Sequence, residues 1–198
     1  MTAYGMDLKK EKDEKNLTAY EIIQEIMKRF IGYEIVEHHK DYCIVKDLSE
    51  ISYKEFDSSL RRIFLLIQQM GEEIIEAIKT ENTEIIKHIN EIDLNVDKFH
   101  DYCIRVLNKT NFKEKKKTSI LFSTCFLLEL IGDEFKNASY HIIKEMKGKN
   151  LKNLIDLSIR TLDNFNKFYD NFYSFNKDNL IELSKKKYRD TFLPCGFL

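Results

Sequence analysis

Apolar residues return at alternating steps of three and four through most of this chain, a rhythm that predicts long helices rather than strands. Ser52-Tyr-Lys-Glu55 has the form of a capping box. It opens a run in which Phe56, Leu60, Ile63, Ile67, Met70, Ile74 and Ala77 share one face. The Thr80–Thr83 turn separates this helix from the next. That one repeats Ile85, Ile89, Ile92, Val96, Phe99, Cys103 and Val106 in unbroken spacing, a bundle-forming seam. Asn108–Lys117, with its run of lysines, reads as a solvated connecting loop.

The third long helix is expected over Thr118–Lys147, with Thr124, Leu128, Ile131, Phe135, Ala138 and Ile142 as its seam. Gly148 is placed to stop it and Asn150 to restart the chain. A fourth helix follows with Leu151, Ile155, Leu162, Phe165, Tyr169 and Phe172, then a shorter amphipathic one over Asp178–Asp190. Upstream, Thr18-Ala-Tyr-Glu21 is a second capping box, for a helix from about Asn16 to about Ile31 that Gly32 ends. Tyr33–Glu37 and Tyr42–Lys46 are β-rich runs around His38-His39-Lys40-Asp41, the pattern of a hairpin whose histidines occupy the turn.

The expected fold class is therefore all-α: an up-down antiparallel helical bundle carrying a small N-terminal helix and β-hairpin, since short loops make consecutive helices antiparallel neighbours. Its parts are a charged tail (1–15), the helix and hairpin (16–51), the bundle (52–190) and a tail with the single proline (191–198).

Composition narrows the function classes. A chain of 198 residues, 43% hydrophobic and 33% charged, is long enough for a proper core and is globular rather than disordered. A net charge of −1 supplies no overall field toward nucleic acid or an anionic membrane. Cys43, Cys103, Cys125 and Cys195 form no CxxC pair and read as free thiols of a reducing compartment. Met1–Lys15 ends in alternating charges, unlike a secretory leader, and Ser119–Gly132 is too short to span a bilayer. The expectation is a cytoplasmic protein with no direct membrane insertion.

The candidate chemistry is carboxylate. Asp93 and Asp97 stand one helical turn apart, and Glu129, Asp133 and Asn137 stand at successive turns on the following helix. Like charges at that spacing repel by a few tenths of a kcal/mol, so two such pairs side by side call for a cation or for lysines such as Lys98 and Lys136. Hard oxygen donors suit Mg²⁺, Mn²⁺, Ca²⁺ or iron, whereas zinc would want more nitrogen or sulfur. At ~100° per residue Glu129 and Asp133 fall almost opposite Ile131, which places any ion on the bundle's flank and not in its core. Asp97-Lys-Phe-His100 offers one acid-x-x-His motif, but there is no second copy for a di-iron core. No Gly-rich phosphate loop or GxSxG is present, and Cys103 lies in the seam three residues after His100. No enzyme is expected on these grounds, with a carboxylate-bridged di-metal oxidase as the enzymatic alternative.

The same residues carry a resemblance. Glu129-Leu-Ile-Gly-Asp133-Glu-Phe-Lys-Asn137-Ala resembles the ERIGDHAxNIAE signature of the PhoU family of phosphate-uptake regulators, with Leu130 and Glu134 in place of its arginine and histidine. Glu91-Ile-Asp93-Leu-Asn-Val-Asp97-Lys-Phe is similar to that family's D-x-x-I/V-D-x-L stretch. Ile31–Glu37, Val45–Leu48 and Phe56–Leu66 look like its archaeal branch, so the resemblance spans roughly residues 20–190.

The resemblance implies a bundle of three-helix repeats with a surface metal site formed by Asp93, Asp97, Glu129 and Asp133, Asn137 flanking. The ion would be divalent or trivalent (iron, Mn, Mg or Zn). It further implies regulation of phosphate uptake or phosphate signalling by docking to a phosphate ABC transporter or sensor component. The chain departs from the family pattern in lacking a sixth helix and a second metal motif. A shortened second repeat, with Phe165, Phe168, Tyr169, Phe172, Tyr173 and Phe175 on its long helix, suggests a homo-oligomer. A helical interaction scaffold without a phosphate role is the binding alternative.

Overall fold

The computed structural model describes residues 18–49, 52–82, 84–109, 115–145 and 151–190. Within them lie six helices and one two-stranded antiparallel sheet, so the chain is mostly helical. The elements are α1 (Ala19–Met27), β1 (Tyr33–His38), β2 (Cys43–Asp47), α2 (Tyr53–Thr80), α3 (Ile85–Lys109), α4 (Lys115–Glu145), α5 (Lys152–Tyr173) and α6 (Lys177–Asp190). The tails at 1–15 and 191–198 and the Gly148–Asn150 break lie outside the described residues.

Capping chemistry sets the first element. The Thr18 hydroxyl accepts from the Glu21 backbone N–H at 3.3 Å, and the Glu21 carboxylate accepts from the Thr18 backbone N–H at 2.7 Å. The helix ends at Met27, earlier than Ile31, because the Arg29 and Phe30 N–H groups turn back to the carbonyls of Ile26 and Met27 in tight turns. Gly32 then reverses the chain at φ +81, where any side chain is strained and a Cβ would lie 2.4 Å from that of Ser49. The hairpin pairs Tyr33 with Asp47 and His38 with Cys43, with a bulge between Ile35 and Glu37. Ser52 accepts from the Glu55 N–H at 3.2 Å at the start of α2.

The described residues form two compact units. The first holds α1, the hairpin, α2 up to Leu66, α3 from Glu91 and α4 up to Asp133. Its core is Phe56, Leu60, Ile63 and Phe64 against Ile92, Val96, Cys103, Val106, Cys125 and Leu128. Cys103 donates weakly to the Phe56 carbonyl at 3.9 Å. The hairpin is tied to α3 through Arg105. That guanidinium donates to the Ile31 carbonyl and, at 3.4 Å, to the Ser49 hydroxyl, and it lies 4.5 Å from the Tyr33 ring centroid and 5.2 Å from that of Tyr102.

Asp47 completes the clamp, 2.6 Å from Lys109 Nζ and 3.9 Å from Arg105 Nε. Burial opposes its ionisation, but hydrogen bonds from Lys109 and Ser49 and the Arg105 charge prevail and hold its carboxyl at about 2. A folded-state value below the ordinary one adds stability above about pH 4, lost as pH falls through about 2. Hydrogen exchange of the hairpin amides should therefore accelerate across that acid window. Asp47→Asn should remove the pH dependence, and a hairpin that loosens identically in both proteins would refute the clamp.

The second unit holds α2 from Ile67, α3 up to Asn90, α4 from Glu134, α5 and α6. Here the directions are set by side-chain pairs. His88 Nδ1 is 2.7 Å from Glu73, Tyr140 donates to Asn90 at 2.8 Å, and Gln68 donates to Asn166 at 2.8 Å. Gly71 lets α4 and α5 close on α2: a Cβ there would lie 2.7 Å from Leu162 Cδ1 and 2.9 Å from Phe135 Cε1. With Gln68 near Asn166 and Gly71 near Leu162, α5 runs antiparallel to α2. Lys167 bridges to Glu182 of α6 at 2.7 Å.

Two expectations change. Of the expected loop Asn108–Lys117, Asn108 and Lys109 belong to α3 and residues 115–117 to the first turn of α4, while residues 110–114 lie outside the described residues. The buried line of α4 is Cys125, Leu128, Gly132 and Ser139, not Thr124, Ile131 and Ala138. On a helical wheel that is a rotation of roughly 60° toward the acidic strip. Apolar residues on both sides of this helix left its buried side undecided in the sequence, and packing chose the side with small residues at positions 125, 132 and 139.

Candidate functional site

All four predicted acids lie in the first unit, on α3 and α4. α3 buries Ile92 and Val96, and Asp93 beside Ile92 goes under with them, only 5% exposed. Asp97, one turn on, is half-buried and 3.4 Å from Arg29 Nη2, which reaches it from the turn after α1. On α4 the rotated seam brings Glu129 and Asp133 beside the core line instead of opposite it, and both are half-buried. Asn137 is exposed.

The electrostatics of Glu129 tie the group together. Burial pushes its carboxyl above the ordinary carboxylate range, and the charges of Asp133, Asp97 and Asp93 push the same way, against the pull of His100. The four acids therefore share one electrostatic neighbourhood across the two helices. His100 is part of it. Its Nδ1 is 3.4 Å from Asp101, while its Nε2 is buried without a hydrogen-bond partner. An orphaned imidazole nitrogen next to a raised carboxyl is an unusual pairing for a plain helix–helix contact.

Arg29 had no counterpart in the sequence reading. It lies 68 positions from Asp97, and only the fold brings it there. His100 carried a signal, the Asp97-x-x-His100 spacing, which places it on the same face one turn away.

The chemistry of the donor set (carboxylates and one imidazole) suits a hard or borderline divalent cation. Among the described residues, though, no three His, Cys, Asp or Glu side chains converge closely enough to hold an ion as they are placed. Binding would require the carboxylates to rotate inward and Asp97 to exchange Arg29 for the ion.

Other candidates resolve into packing. His38 lies tilted against Tyr20 with centroids 3.9 Å apart, and His39 stacks on Tyr42 at 4.4 Å. Cys103 and Cys125 are both fully buried free thiols, and the contact between them together with burial drives the Cys103 thiol far above its ordinary range, so it is inert as a nucleophile. No helix among the described residues is long and apolar enough to cross a membrane. No family model, no curated protein and no solved structure matches this chain.

Proposed function

We propose that this chain is a non-enzymatic helical docking protein whose α3–α4 acidic patch takes a divalent cation, with Asp93, Asp97, Glu129 and Asp133 as its oxygen donors and His100 as an added nitrogen donor. The observation that supports it is the buried His100 nitrogen with no hydrogen-bond partner, together with a Glu129 carboxyl that burial and the charges of Asp133, Asp97 and Asp93 push up. A cation would relieve the repulsion and satisfy that nitrogen at once. From the resemblance to the PhoU family we further propose a role in phosphate-uptake control, through contact with a phosphate transporter or sensor component.

Metal content of protein purified under metal-replete conditions tests the cation. About one ion per chain is expected, lost in the Asp97→Asn, Asp133→Asn double variant at unchanged helical circular dichroism. Metal-free wild-type protein would defeat it. Pull-downs with and without phosphate test the second part, and recovery of no transporter or sensor component in either condition would remove it. The scaffold reading is favoured by one contact, Arg29 to Asp97, which already neutralises part of the patch without an ion.

A further inference from the structure

α6 lies on the second unit with little of itself embedded. None of its described side chains, at 177–185, is buried: Asn179 and Leu183 are half-buried, Leu180 is 50% exposed and Ile181 39%. It follows α5 after the short connection 174–176, and Lys167 reaches Glu182 across the turn at 2.7 Å, so the two helices form an antiparallel pair. The connection itself is well made. Asn171 Oδ1 accepts from the Asn176 N–H at 2.7 Å, and Asn176 Oδ1 caps α6 by accepting from the N–H groups of Asp178 at 2.9 Å and Asn179 at 3.3 Å.

The seat beneath α6 is of another kind. α5 turns Leu162 and Asn166 toward α2, where they lie near Gly71 and Gln68. Arg160, Asn164, Lys167 and Asn171 fall roughly 120–180° from that direction, on the side where Lys167 meets α6. They follow each other at steps of four, three and four, the spacing of a helix-pairing seam, which is ordinarily apolar. All four are polar. Asn164 Oδ1 and Asn171 Nδ2 are moreover buried with no hydrogen-bond partner among the described residues. A buried polar atom left unpaired weakens a contact more than a made hydrogen bond strengthens it. Nor is Lys167 committed to α6, because its Nζ is also 3.4 Å from Asp163, one turn back on its own helix.

We propose that α6 is a strap that leaves α5 as one piece, pivoting at 174–176, while α5 and α2 stay folded. Opening returns Asn164 Oδ1 and Asn171 Nδ2 to water and leaves Lys167 with Asp163, which offsets the lost cover of Leu183. A helix of 14 residues is marginal in water once it stands alone, so undocking and loss of the hydrogen bonds within α6 coincide. The device switches α5 between a covered and an uncovered polar seam.

Native-state amide hydrogen exchange of the full chain tests the strap. The amides from 181 to 185 are expected to exchange together, at least roughly a hundredfold faster than those of α2 between Ile67 and Ile78. Asn164→Leu removes the orphaned oxygen and gives Leu183 an apolar neighbour, so it should slow α6 exchange about tenfold. Leu183→Ala removes the half-buried anchor and should bring α6 to within roughly a few-fold of free-peptide rates, with α2 unchanged. The α2 amides report in each variant that the rest of the unit is folded. Protection of α6 equal to that of α2, or a Leu183→Ala loss that spreads equally to α2, would show that α6 opens only with the whole unit and would overturn the proposal. So would an Asn164→Leu protein whose α6 exchanges at the wild-type rate or faster, or protection that falls steadily toward 185 as in simple end fraying. The proposed cation donors lie in the first unit, so either reading can fail without the other.

Discussion

Arg105→Ala is expected to lower the stability of the protein by about 3 kcal/mol in urea denaturation, with the hairpin amides losing hydrogen-exchange protection first. The side chain of Arg105 is 12% exposed, and it performs several tasks at once. It satisfies the Ile31 carbonyl where the chain leaves α1, reaches the Ser49 hydroxyl where it leaves β2, sits against the rings of Tyr33 and Tyr102, and faces Asp47. Truncation leaves the carbonyl without the Arg105 donor in a half-buried place and Asp47 with Lys109 as its remaining cationic partner beside the Ser49 hydrogen bonds. A two-stranded sheet is marginal by itself, so the hairpin depends on this anchor. Arg105→Lys should recover less than half of the loss, since an ammonium neither stacks on two rings nor reaches both acceptors. A loss confined to a few tenths of a kcal/mol would show that the hairpin is held by its apolar contacts instead.

Phe64→Ala is expected to cost about 3–5 kcal/mol, while Leu65→Ala beside it costs less than about 1. The two residues are adjacent on α2, but Phe64 is 0% exposed and Leu65 is 41% exposed. The three-and-four spacing of α2 runs through Ile63 and Ile67 and passes Phe64 by. In the fold Phe64, Leu66, Ile75 and Ile78 are buried along with that seam, so α2 is covered over roughly half its circumference. Thermal denaturation of the two variants measures the difference directly. Equal costs would mean that α2 buries only the narrow stripe.

Much of the fold was legible. Every predicted seam residue of α2 is buried, and Ile89, Ile92, Val96, Cys103 and Val106 of α3 are buried as spaced. These helices have one strongly apolar side, and a one-sided pattern has only one way to face a core. The Thr18 and Ser52 caps and the hairpin were legible too, because capping and turn chemistry act over three or four residues. α4 was misread for the opposite reason. It is apolar on more than one side, and its own sequence holds no information on which side its neighbours approach. The acidic group was legible as four positions. That Asp93 is buried, that Arg29 reaches Asp97 and that His100 keeps an unpartnered nitrogen were not.

By itself, then, the sequence determined the helices, the hairpin and the two acidic pairs, because periodicity, caps and i, i+4 spacing are local consequences of backbone geometry. Only the tertiary structure decided the rotation of α4, and with it both the partial burial of Glu129 among the charges of three other acids and the exposure of Ile120, Leu127 and Leu130 on the opposite side. A helix turned by roughly 60° keeps every backbone hydrogen bond, so nothing within the helix selects the angle; that choice belongs to the packing of side chains from distant parts of the chain.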